Sequence, residues 1–280
     1  MYANIPLWST HLNNKPIAVF DSGVGGLPYL QSLREYAPQE DFVYLADRDN
    51  FPYGEKGDIE LREIIVEVVG RFIAATDPKL MLIACNTASV VALDALREKF
   101  CIPFIGVVPA IKPAAELSKR RTIGVLATRR TVEDPYTEDL ITQFATDCKV
   151  IRYAGVEIVE LVEMNYFNTS TDEKIEVLQP AVDFFKERGV DTLVVGCTHF
   201  IFVEGLLQHM LNGSARVIDS RTGVAQQALR ILQQEHIAKG GNPPAGRGKL
   251  FVSGNQLDAV ATQRYNNFSK LYELEWSGLL

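Results

Sequence analysis

Cysteine is scarce in this chain, four residues in 280, and no two are spaced as Cys-x-x-Cys. That excludes a disulfide scaffold and gives no sign of structural zinc or dithiol redox chemistry. Histidine is equally sparse. His11, His199, His209 and His236 form no His-x-x-x-His or similar cluster, so no metal site is expected. Positive charge is in deficit, with 28 Lys and Arg against 35 Asp and Glu for a net charge of -7. A nucleic-acid partner is therefore not expected, because neutralising phosphates normally demands a basic face. No run approaches the roughly 20 apolar residues a membrane span needs, and residues 1–15 lack a basic start followed by an apolar core. Neither a membrane association nor a secretory leader is expected, which points to the cytoplasm.

Against these absences, 47% of the residues are hydrophobic and 22% charged, the composition of a globular protein with a substantial core. A length of 280 residues favours two medium domains over one large one. Short Val/Ile/Leu-rich runs at 17–20, 42–45, 80–84, 104–107, 122–126, 150–154 and 193–195 alternate with amphipathic stretches. This is the signature of an α/β fold with mainly parallel strands buried on both faces. Segment 59–75 places Ile64, Ile65, Val68, Val69 and Phe72 on one helical face, and segment 174–188 does the same with Ile175, Leu178, Val182 and Phe185. Pro180 lies inside the second, so that helix is expected to kink there or to begin near Gln179. Residues 240–248 read as a loop, and 250–280 carry no chemical signature.

An internal repeat organises the chain. Ile17-Ala-Val-Phe-Asp-Ser22 resembles Ile123-Gly-Val-Leu-Ala-Thr128 at an offset of 106, and Leu80-Met-Leu-Ile-Ala-Cys-Asn-Thr87 resembles Leu193-Val-Val-Gly-Cys-Thr198, with the cysteines 112 apart. Related βα units facing each other about a pseudo-twofold axis are expected. Residues 109–113 read as the crossover, and the chain after Val217 as the return to the first half. The expected lobes are 1–110 with 218–280, and 111–217.

The repeat sets Cys85 and Cys197 at corresponding strand ends, where open α/β sheets bind ligands. Each precedes an expected helix N-terminus, whose partial charge lowers a thiol pKa. Both are read as proton-transfer groups, whereas Cys101 and Cys148 lack such flanks and read as structural. His199, two residues after Cys197, could orient or deprotonate that thiol. Asp21 ends the first strand, where a carboxylate could accept a proton, hold a substrate ammonium or cap a helix. The turn Asp21-Ser-Gly-Val-Gly-Gly-Leu27 has Pro28 where a dinucleotide fingerprint needs its third glycine. Its amide groups are therefore expected to meet a carboxylate rather than a pyrophosphate. The polar loop 47–54 could close over a small ligand or be an ordinary connection. No lysine sits at a strand end among these motifs, although pattern alone leaves a pyridoxal lysine open.

Taken together, Asp21-Ser-Gly-Val-Gly-Gly-Leu27, Pro52-Tyr53-Gly54, Ala84-Cys-Asn-Thr-Ala-Ser89 and Gly196-Cys-Thr-His199 resemble the motif set of bacterial glutamate racemases, in order and at compatible spacing. The resemblance implies two pseudo-symmetric α/β domains with the active site in the cleft between them. It implies interconversion of L- and D-glutamate without pyridoxal phosphate, metal or nucleotide, for peptidoglycan synthesis, by a homodimer. It makes Cys85 and Cys197 the two thiol bases, working on D- and L-glutamate respectively, with Asp21 and His199 assisting. Asp21, Ser22, Tyr53, Gly54, Asn86, Thr87, Thr198 and His199 become substrate contacts, and Glu163 a supporting group near the second cysteine. Gly155-Val156 and Ile201-Phe202 depart from the family pattern. A regulatory role known for some N-terminal extensions is not assigned to residues 1–15. An aspartate or broad-specificity racemase, and a two-lobed amino-acid binding protein without chemistry, are the alternatives.

Overall fold

The computed structural model describes residues 13–240 and 244–280. Among these residues ten strands form two sheets in which every pairing is parallel. The first half supplies β1 (Ile17–Asp21), α1 (Leu27–Tyr36), β2 (Phe42–Ala46), α2 (Asp58–Thr76), β3 (Leu80–Ile83), α3 (Asn86–Lys99) and β4 (Phe104–Gly106). The second supplies α4 (Ile111–Leu117), β5 (Thr122–Ala127), α5 (Arg129–Glu133), α6 (Pro135–Phe144), β6 (Lys149–Ala154), α7 (Val156–Glu160), α8 (Thr171–Glu187), β7 (Thr192–Val195), α9 (Glu204–Leu211) and β8 (Arg216–Ile218). The chain then adds α10 (Arg221–Gln234), β9 (Gly248–Val252), α11 (Ala259–Leu271) and β10 (Glu275–Leu279).

Strand order carries the repeat. The first sheet runs β10-β9-β2-β1-β3-β4 and the second β6-β5-β7-β8, so both contain the same four-stranded unit, two flanking strands around a central pair. The equivalence extends to single hydrogen bonds. Beyond the end of β3, Ala84 N–H donates to the Phe20 carbonyl at 2.7 Å; beyond β7, Gly196 N–H donates to Leu126 at 2.8 Å. The next residues are Cys85 and Cys197. Their matching positions follow from register, not from sequence likeness alone.

Both faces of the first sheet are covered. Ile17 and Val19 of β1 join one apolar cluster and Ala18 and Phe20 another, as the period-2 geometry of a doubly buried parallel strand requires. Helix α2 buries Ile65, Val68, Val69 and Phe72 of the stripe read from its spacing and adds Leu61, while Ile64 is only partly buried. In the second sheet β6 is a half-exposed edge.

The structure corrects one expected helix start and adds elements at two places the sequence left unread. Helix α8 starts nine residues before Pro180, capped by Ser170 and Glu173 in a reciprocal capping box, and neither of its bounds lies at Gln179. Pro180 faces solvent, where water satisfies the carbonyl its ring frees. The segment after residue 250, which carries no chemical signature, builds β10 and α11, and β9 pairs along the whole of β2. Strand β8, three residues long, also escapes the sequence pattern.

Candidate active site

A cleft of about 460 Å³ opens between the two sheets at the carboxyl ends of their strands, where parallel sheets hold their ligands. Cys85, Asn86 and Thr87 line it from the first half, and Gly196, Cys197, Thr198 and His199 from the second. Ser22 contributes from the turn after β1, and Tyr53 and Gly54 from the loop after β2. Asp21 and Glu163 lie buried beneath the wall, 0% and 2% exposed respectively.

The glycine-rich turn explains how the halves interlock. The Gly23 N–H is used by Asp21 Oδ1 at 2.9 Å, and the Val24 N–H by Glu163 Oε2 at 2.8 Å. These two amides are thus taken by protein carboxylates, one of them Glu163 of the opposite half, and not left for the carboxylate of a ligand as the sequence suggests. A Cβ on Gly23 would lie 2.3 Å from Glu163 Oε2, and one on Gly25 would lie 2.4 Å from Thr198 Oγ1 and 2.6 Å from His199 Nδ1. Glycine is needed here for close approach. Gly23→Ala is expected to cost about 1–3 kcal/mol of stability by overpacking and to depress activity by displacing Glu163, checked by denaturant titration alongside an activity assay.

Around Cys197 the groups form a chain. His199 Nδ1 lies 3.8 Å from Cys197 Sγ, and His199 Nε2 lies 3.0 Å from Glu163 Oε2. Glu163 sits in a single π-helical turn, Leu161–Asn165, a local distortion frequent at functional sites. Its other oxygen accepts from the Tyr265 hydroxyl at 3.2 Å. Burial alone would push the His199 imidazole down, but its hydrogen bonds to Cys197 and Glu163, with their charges, carry its pKa well above the ordinary histidine value. Burial likewise favours protonation of Glu163, yet the His199 hydrogen bond and charge, with the Val24 amide, hold it below the ordinary glutamate value. The pair is an imidazolium–carboxylate, with a proton on the nitrogen that faces the sulfur.

Around Cys85 the balance reverses. Cys85 is the N-cap of α3, yet its pKa is pushed up to about 12. Burial is the main cause, and the nearby Asp21 carboxylate adds to it; the Ala88 amide and the Ser22 hydroxyl oppose it. The expectation of a lowered thiol therefore fails at Cys85, because desolvation outweighs the helix terminus. Cys197 is followed not by an α-helix but by the 3-10 segment Thr198–Val203, with α9 only afterwards. Asp21 itself is raised to about 6, first by burial, against the His199 charge and the hydrogen bonds from Gly23 and Thr198. The Thr198 hydroxyl donates to Asp21 Oδ2 at 3.1 Å, tying the two halves together below the cleft.

The Asn86 Oδ1 is buried without a partner, an unmet acceptor on the cleft wall. Tyr53 lines the cleft with its ring, while its hydroxyl donates to Asp47 Oδ2 at 2.5 Å. Asp47 also accepts from Asn50 at 3.0 Å and from Ser253 at 2.5 Å. The loop 47–54 is thus braced onto the first sheet, and Phe51 packs against the His199 ring at 6.0 Å. Residues not singled out from sequence include Thr128, Arg130 and Thr131 on the cleft wall, Asp47, and Tyr265. The repeat held a signal for the first, since it aligns Thr128 with Ser22. Among the described residues no group of three or more His, Cys, Asp or Glu is placed to hold a metal ion.

The Asp/Glu/hydantoin racemase family model matches residues 25–228. Glutamate racemase from Treponema pallidum is 37% identical over 94% of this chain and 96% of its own length. That of Proteus mirabilis is 43% identical over 80% of this chain and 78% of its own. Among solved structures, Escherichia coli glutamate racemase in complex with L-glutamate and the activator UDP-MurNAc-ala superposes with a TM-score of 0.83 at 36% identity, covering 95% of this chain and 98% of that one. With a family model spanning most of its length and relatives this close, the chain belongs to the Asp/Glu/hydantoin racemase family, among the glutamate racemases.

Proposed function

We propose that this enzyme inverts the α-carbon of glutamate using Cys85 and Cys197 as acid and base on opposite faces of the substrate. The observation that carries the reading is the equivalence of the two thiols: each follows the corresponding strand, β3 or β7, of the shared four-stranded unit, and both line one cleft. Inversion without an electron sink requires removal of a proton from one face and delivery to the other. A thiolate takes the Cα proton, the bonding pair delocalises onto the α-carboxylate, and the opposing thiol gives its proton to the other face. The two sulfurs exchange protonation state in each turnover.

With its pKa near 12 in the free enzyme, Cys85 stands protonated at neutral pH, the form that donates when Cys197 abstracts from L-glutamate. In the reverse direction Cys85 must be the base. The substrate ammonium, seated beside Asp21, then supplies positive charge on the Cys85 side of the cleft. His199 serves Cys197, and Glu163 holds His199. The unmet Asn86 Oδ1 and the Thr198 hydroxyl oxygen accept from the substrate ammonium, while the Thr87 and Ser22 hydroxyls and the backbone at Tyr53-Gly54 donate to its carboxylates and meet developing negative charge. The Escherichia coli neighbour, a glutamate racemase solved with L-glutamate, supports reading the substrate as glutamate and not aspartate. Racemisation of L-glutamate and L-aspartate followed side by side by circular dichroism tests this; preference for aspartate would overturn the substrate.

The two lobes would divide near 110/111 and 217/218, a reading supported by the two separate sheets, although β8 runs on to Ile218. The same reading makes the enzyme a cytoplasmic homodimer that supplies D-glutamate for peptidoglycan. No helix among the described residues is long and apolar enough to cross a membrane. Of the N-terminal segment 1–15, residues 1–12 lie outside the described residues.

Asp21 gives this reading a pH signature. Its pKa of about 6 predicts an acidic limb near pH 6 in kcat/KM, which reports the free enzyme, with activity rising as the carboxylate ionises. Asp21→Asn should erase the limb and lower activity. The same raised value means that the folded state holds this proton more tightly than the unfolded chain. The stability it confers is present below the unfolded pKa of 3.8 and lost as pH rises through about 6. A shift of that size is worth at most ~3 kcal/mol, so Asp21→Asn should melt higher than wild type at pH 8.

A further inference from the structure

We propose that Arg130 is a positioning residue that clamps the substrate loop of the first half from the opposite wall of the cleft. This rests on the glutamate reading of the cleft given above. Arg130 belongs to α5, in the second half, and its guanidinium crosses to the first half. There Nη1 donates to the Lys56 carbonyl at 2.7 Å and Nη2 pairs with Asp58. The segment it grips directly follows Tyr53 and Gly54, the loop residues that line the cleft.

That segment has little else to fix it. Gly54, Glu55, Gly57 and Asp58 are exposed, and a Cβ on Gly54 or Gly57 would meet nothing within 4 Å. The bracing through Asp47 ends at Tyr53. The clamp, by contrast, stands on a fixed base. The Thr128 side chain caps α5 through the Thr131 amide, Thr137 Oγ1 donates to the Thr131 carbonyl at 2.6 Å, and Arg152 Nη1 donates to the Val132 carbonyl at 3.1 Å.

Its burial argues for more than a surface ion pair. The Arg130 side chain is 15% exposed against 70% for Asp58, and its Nε is buried with no partner. A planar guanidinium held between two backbone-bearing loops fixes their separation in a way that a screened surface pair does not. Across the Thr128–Thr131 wall and the segment that follows Tyr53-Gly54, the width of the cleft mouth is held by this side chain. Arg130 touches neither thiol in this arrangement. It acts through the loop it holds, so it governs capture of the substrate rather than proton transfer.

The test combines kinetics with a structural probe on the full-length enzyme. Arg130→Ala should raise KM for both enantiomers about tenfold or more while changing kcat less, with kcat/KM falling equally in both directions because the equilibrium is fixed by the substrate. Arg130→Lys, which keeps the charge but loses the fork, should fall between. Asp58→Ala alone should raise KM about twofold, the size expected for one exposed partner, and should add nothing in the Arg130→Ala background. Trypsin should cut after Lys56 markedly faster in folded Arg130→Ala than in wild type, a readout independent of the substrate. A folded Arg130→Ala enzyme with KM within twofold of wild type, an Asp58 effect that adds in full to that of Arg130, or unchanged cleavage at Lys56 would overturn the clamp. Wild type that cleaves slowly at Lys56 but fails to racemise glutamate would instead overturn the substrate reading while leaving the clamp supported.

Discussion

Cys85→Ala and Cys197→Ala are each expected to abolish net racemisation, with a loss of about 10⁴-fold or more, the upper range for removing a positioned acid or base. Both variants should fold, because each sulfur, although part of an apolar cluster, also lines the cleft, and the change to alanine removes a single heavy atom. The effect should be equally severe in either direction. Each turnover uses one sulfur as base and the other as acid, so neither enantiomer escapes the loss. Retention of near-normal turnover by one variant, measured by circular dichroism from both enantiomers, would show that a single base suffices.

Glu163→Gln is the second large effect. The carboxylate accepts from Val24, His199 and Tyr265, and the histidine it faces is 2% exposed. Removing the charge leaves a buried imidazolium without its counterion, a change that costs about 3–5 kcal/mol when one partner of a buried pair is deleted. The imidazole would then lose its proton at neutral pH, and with it the group that faces Cys197. A fall in kcat of about 10²–10³-fold is expected. The pH dependence follows from the two shifts. The raised His199 value contributes stability that is fully present below its unfolded pKa of 6.5 and lost as pH rises through the higher folded value. The lowered Glu163 value contributes stability present above 4.5 and lost as pH falls through its folded value. Both contributions are complete only between about pH 4.5 and 6.5, so the stability difference between wild type and Glu163→Gln should be largest there. A variant as stable as wild type at pH 5.5, by denaturant unfolding, would remove the ion pair from the account.

Much of this site was legible in the sequence because it is built by a repeat. The strands at 17–20, 42–45, 80–84, 104–107 and 193–195 fall within a residue or two of β1, β2, β3, β4 and β7, since a strand buried on both faces is a continuous apolar run. The placement of Cys85 and Cys197 in one cleft followed from their place in that repeat. What escaped has a common physical cause, namely that it depends on partners distant in sequence. Strands β9 and β10 complete the first sheet by pairing with β2 and with each other, and their local composition carries no period. The Gly23–Gly25 turn pointed to a ligand carboxylate, whereas the Val24 amide is taken by Glu163, 139 residues on in sequence. For Cys85 the helix terminus was visible, but the burial that overrides it was not. Tyr265 reaches Glu163 from the last helix, and Arg130 reaches Lys56 across the cleft; neither contact leaves a local signature. Phe202, which departs from the family pattern, packs edge-on against Tyr166, Phe268 and Tyr272, so the departure belongs to an aromatic cluster that links the second half to α11.

The central claim is that two thiols address opposite faces of the α-carbon, and early solvent-deuterium incorporation tests it most directly. L-Glutamate is incubated with wild-type enzyme in deuterium oxide and both enantiomers are examined by NMR before equilibrium is approached, then the experiment is repeated from D-glutamate. The account predicts deuterium at Cα of the newly formed enantiomer while the unreacted substrate keeps its protium, in both directions. Deuterium appearing at equal rates in substrate and product, protium carried over into the product, or no exchange at all would contradict it.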